Sequence, residues 1–90
     1  MNPTLTPAYK LASLLHGNRT AINSSLCDAR QIVAEGLAAL ARNDDEGLNT
    51  AAKALDQAAG RIRSRLLQIR AVKDAASAVG VKPNELKGGA

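Results

Sequence analysis

Ninety residues allow one small domain, and the 46% apolar fraction comes mostly from alanine and leucine, with no Phe, no Trp and Tyr9 as the one aromatic residue. Cys27 stands alone and the formal net charge is +4. This excludes an internal disulfide framework and a cysteine-based zinc site, and the modest positive charge selects no partner by itself. Such a composition favours helices over sheets, and a chain this short, with only thin aliphatic layers, calls for a partner or a second copy to complete its core.

At the N-terminus Lys10 is followed by Leu11 to Leu15 before His16 and Gly17 interrupt the apolar run, so neither a signal peptide nor a membrane-spanning helix is predicted, and a cytoplasmic, reducing location is expected. Residues 1–5 read as a flexible lead-in. Thr6 and Pro7 then form a helix start, with Thr6 as N-cap and proline where its missing N–H costs nothing. The first helix is predicted to run to about Arg42 on an apolar stripe of Leu11, Leu15, Ile22, Leu26, Ala29, Val33, Leu37 and Leu40. Between His16 and Ser25 the residues are poor helix formers, which predicts a kink or break near Gly17 and Asn18.

Asn43 to Glu46 reads as a tight turn and restart, with Asn43 left-handed and Asp44, Asp45 and Glu46 supplying negative charge to the next helix start. The second helix carries apolar residues at threes and fours: Leu48, Ala52, Leu55, Ala59, Ile62, Leu66, Ile69 and Ala76. A short connection makes the helices antiparallel neighbours. One register then pairs Leu40 with Leu48, Val33 with Leu55, Ala29 with Ala59, Leu26 with Ile62 and Ile22 with Leu66, with Gly36 opposite Ala52 and Glu35 level with Lys53. Gly80 is a C-cap glycine and Pro83 a stop. The domain reading is therefore a hairpin over residues 6–80 and a flexible tail over residues 81–90.

The expected architecture is all-α: a long antiparallel helical hairpin that dimerises into a four-helix bundle or docks on a larger protein. Arg61, Arg63, Arg65, Arg70 and Lys73 form the most conspicuous basic stretch, while Leu67 and Val72 fall off the main stripe. These seven residues are the candidate partner-binding set, the basic ones as rim contacts and the aliphatic ones as anchors. The predicted turn end is acidic and the open end basic, so two hairpins packed antiparallel would match opposite charges.

The segment Ala75 to Leu86 resembles the first helix, glycine turn and second-helix opening of repressor-type helix-turn-helix motifs, through Ala76, Gly80 and Val81. In that family the second helix enters the major groove, whereas here Lys87, Gly88, Gly89 and Ala90 follow at once. A C-cap followed by a proline turn accounts for the same residues. Cys27 and His16 lie about three helical turns apart, too far for a nucleophile and base, so Cys27 is expected as a small buried hydrophobe and His16 as a helix-end residue. No phosphate loop, H-E-x-x-H or G-x-S-x-G occurs, and the acidic turn lacks a calcium-loop pattern. Neither enzyme activity nor a cofactor or metal is predicted. The expected function is that of a small helical protein-interaction module, an adaptor, assembly factor or inhibitor of the kind carried by phages and bacterial accessory systems. The alternative is a basic nucleic-acid-associated regulator using the Arg61 to Lys73 surface.

Overall fold

The computed structural model describes residues 7–87, and these form three helices: α1 (Pro7–Ala41), α2 (Asp45–Ala78) and α3 (Pro83–Lys87). The long helices α1 and α2 pack antiparallel as a hairpin, elongated to 60 × 22 × 20 Å. The Thr6 cap lies outside the described residues. Helix α1 continues through Gly17 and Asn18 without the predicted break. Asn18 itself supplies part of the reason, because its side-chain amide donates to the Leu14 carbonyl (2.9 Å) and its Oδ1 accepts from Arg65 on α2 (3.3 Å), turning a weak helix former into a buried cross-link.

Both helix C-termini close in the same way. Asn43 takes φ 55° and the following Asp44 N–H donates to the Ala39 carbonyl (2.9 Å), while Gly80 takes φ 78° and the Val81 N–H donates to the Ala76 carbonyl (2.8 Å). These bonds satisfy carbonyls that a helix end otherwise leaves open. Asp44 then caps α2, its Oδ1 accepting from the Gly47 N–H at 2.9 Å and its Oδ2 from Arg42 at 3.3 Å. These two contacts, the Gly47 N–H first, hold the Asp44 carboxyl below the usual aspartate range.

The seam differs from the predicted one. On α1 it runs through Leu15, Asn18, Ile22, Ser25, Ala29, Ile32, Gly36 and Ala39, all buried or half-buried, at alternating spacings of three and four. On α2 it runs through Ala51, Ala54, Ala58, Ile62, Ile69, Val72 and Ala76. Leu26, Val33, Leu37, Leu40 and Leu66, assigned above to the seam, are exposed, with Leu37 at 62%. Gly36 accordingly faces Ala51 instead of Ala52: a Cβ at Gly36 would lie 3.4 Å from the Ala51 methyl. The physical reason is distance. A stripe of Gly, Ala and Ser lets two helix axes approach more closely than a stripe of leucines, and the close approach leaves the larger side chains flanking the contact.

The fully buried large aliphatic side chains cluster at the open end, where Leu15, Ile69, Val72 and Leu86 pack with Ala12 and Ala76, and Leu11, Ile22 and Val81 lie against them; elsewhere Ile32, Leu48 and Ile62 are half-buried. Leu86 belongs to α3, so part of the stretch expected as a flexible tail is a helical turn that covers this end. Pro83, read as a stop, occupies the first position of α3, and Glu85 accepts a hydrogen bond from the Lys82 N–H at 3.1 Å.

Glycine-to-alanine substitutions are expected to separate the turn from the helix interiors. Gly17→Ala and Gly60→Ala meet no atom within 4 Å and should each stabilise the fold by about 1 kcal/mol through helix propensity. Gly47→Ala should instead lower the melting temperature, because its Cβ would fall 2.6 Å from Asp44 Oδ2 and 3.0 Å from the Ala39 methyl. The cap also fixes a pH dependence. A carboxyl whose pKa is lowered by folding contributes stability above its unfolded pKa and loses it as pH falls through the folded value. The advantage of the parent over Asp44→Asn, measured by thermal unfolding, should therefore be present at pH 7 and shrink on acidification to pH 3.

Candidate functional site

The two flanks of the hairpin are chemically distinct. One is the flank on which α3 packs, where Arg19 of α1 and Lys73 of α2 line a common cavity. Seven-residue steps stay on one flank of a helix in such a pair. From Arg19 they reach Leu26, Val33 and Leu40, and from Lys73 they run back to Leu66, Ala59 and Ala52. Every one of these steps lands on an aliphatic side chain. Together with Leu37 and Leu55 they make a stripe about 21 Å long between Leu26 and Leu40, at 1.5 Å per residue. No described residue covers it, as Leu26, Val33, Leu37, Leu40, Leu55 and Leu66 are all exposed.

The opposite flank is polar. Asp28, Arg61, Arg65 and Gln68 line one groove there with Ser24, Ser25 and Ser64, and Glu35, Arg42 and Thr50 line a second beside Ala39, Gly47, Ala51 and Ala54. Arg65 is engaged with Asn18 and with Gln68 (3.5 Å). The only salt bridge among the described residues joins Arg42 to Asp44 at the turn.

The candidate partner-binding residues are thus divided. Arg61 and Arg65 belong to the polar flank, Arg63 and Arg70 share a separate exposed stripe seven residues apart, and Lys73 lines the cavity beside α3. Leu67 is exposed at 64%, as an anchor requires. Val72 is not available: at 8% exposure it belongs to the core under α3, because the seam phase that excludes Leu66 brings Val72 inward. Cys27, expected to be buried, is exposed for the same reason, and His16 lies within α1 on the cavity wall instead of at a helix end.

Reasoning from the sequence did not single out Leu26, Val33, Leu37 and Leu40 as surface residues. A signal was present nevertheless: α1 carries two parallel stripes, one large and one small, and only one can face α2. Among the described residues no group of three or more His, Cys, Asp or Glu could hold a metal ion, and no described helix is long and apolar enough to cross a membrane. Compared with family models, curated proteins and solved structures, the chain matches none.

Proposed function

We propose that the hairpin is a small non-enzymatic protein-interaction module that docks helices of other proteins, or of a second copy of itself, against the aliphatic flank. The observation that carries this reading is the uncovered stripe of Leu26, Val33, Leu37, Leu40, Leu55 and Leu66. A contiguous apolar strip of this kind is a mark of interaction sites on soluble proteins. The open end provides the pattern for what a third element does there: α3 lies on the same flank and, through Leu86, completes the cluster of Leu15, Ile69, Val72 and Ala76. A docked helix would extend that cover toward the turn, reading the stripe as anchors at helical spacing. The exposed positions of Arg63 and Arg70 suit them as rim contacts, and that of Leu67 as a further anchor. The division of the basic residues among three surfaces favours such a docking role over a continuous track for a polyanion.

Light scattering over a concentration series tests this directly. The parent chain should exceed 9.3 kDa as concentration rises, and Val33→Glu with Leu40→Glu should return it to the monomer mass with helicity kept. Asp28→Lys, on the polar flank, should leave association in place. A double variant with the same particle mass as the parent throughout would contradict the reading.

A further inference from the structure

The cavity at the open end, about 490 Å³ in volume, combines two features that the docking stripe lacks. Its floor and one wall are apolar, formed by Leu15 and Leu86 with Val81 at the side. Its rim carries His16, Arg19 and Lys73, and no carboxylate is among the lining residues. Neither Arg19 nor Lys73 makes a hydrogen bond or ion pair with any described residue, whereas Arg42 and Arg65 are both engaged. Two cations with no partner among the described residues, set over a hydrocarbon floor, are complementary to a molecule with an anionic head and an apolar body.

We propose that this cavity binds an unbranched acyl carboxylate, its chain between Leu15, Val81 and Leu86 and its head group paired with Arg19 and Lys73. A peptide fits less well, because its amides would be buried against a lining whose hydroxyl-bearing residue is Ser77 alone, and unpaired backbone groups are costly to bury. A methylene chain leaves no polar group unpaired. The volume falls in the range of small-molecule pockets. The wall formed by α3 is a short element joined to α2 through Gly80 and anchored by Leu86. This site lies beyond the docking stripe and does not depend on it.

The test is a titration of the full chain with decanoate below its micelle concentration, followed by amide chemical shifts. Shifts should concentrate at Leu15, His16, Arg19, Lys73 and residues 76–86. Arg19→Gln with Lys73→Gln, both at exposed positions that leave the core intact, should weaken decanoate by about tenfold or more with the helical signal unchanged. Decanol and decyltrimethylammonium should bind the parent chain at least about tenfold more weakly than decanoate. Binding of decanol or decyltrimethylammonium as tight as that of decanoate, shifts centred on Val33 and Leu37, or an unchanged affinity in the double variant would overturn the assignment.

Discussion

The hairpin depends on how closely its two long helices approach. Gly36 lies against Ala51, where a Cβ on the glycine would already be in van der Waals contact with the facing methyl at 3.4 Å, and Gly47 lies against Ala39, where a Cβ would be crowded at 3.0 Å. At those two levels a leucine would not fit between the helices. Leu26, Val33, Leu37, Leu40, Leu55 and Leu66 sit beside the seam, so much of the chain's aliphatic character lies on one flank instead of in its interior. The buried residues along the middle and turn end of the seam, Ser25, Ala39 and Ala58, are all small. The large apolar cluster forms only where α3 supplies a third wall.

Two consequences follow for function. The flank that carries α3 is aliphatic from Leu26 toward the turn, while the other is lined by Asp28, Arg61, Arg65, Gln68, Glu35 and Arg42. The molecule therefore presents one aliphatic face and one polar face. Along the apolar face the character also changes: toward the turn it is a bare aliphatic stripe, and toward the open end it becomes a cavity with a cationic rim. A single element of five residues produces that difference, since α3 converts an exposed groove into a partly enclosed one.

Much of this was legible in the sequence, and what was missed has a physical cause. The helix ends were readable because their determinants are local: Asn43 and Gly80 tolerate positive φ, and Asp44 can cap a helix start. The antiparallel hairpin was readable from period and loop length. The phase of the seam was not, because α1 carries two stripes of the same period one position apart, Leu26–Val33–Leu40 and Ser25–Ile32–Ala39. Ranking by hydrophobicity selects the first, and close packing selects the second. Asn18 in the seam deepened the misreading, since its burial is sustained by a hydrogen bond from Arg65, 47 residues away, that no local pattern announces. The same phase error moved Val72 inward and Cys27 outward. Helix α3 was missed because Pro83, read only as a stop, is equally suited to the first position of a helix.

The small-residue seam is the claim on which the docking face rests, and intramolecular cross-linking tests it most directly. In a Cys27→Ser background at low protein concentration, Gly36→Cys with Ala51→Cys places two sulfurs on Cβ atoms at a separation close to that of natural disulfides. That pair should oxidise readily to an intramolecular bridge within a monomer, while Val33→Cys with Leu55→Cys, the pair of the leucine seam, should not. Ready intramolecular bridging of Val33→Cys with Leu55→Cys, and none for the Gly36 pair, would place the leucines between the helices and contradict the account.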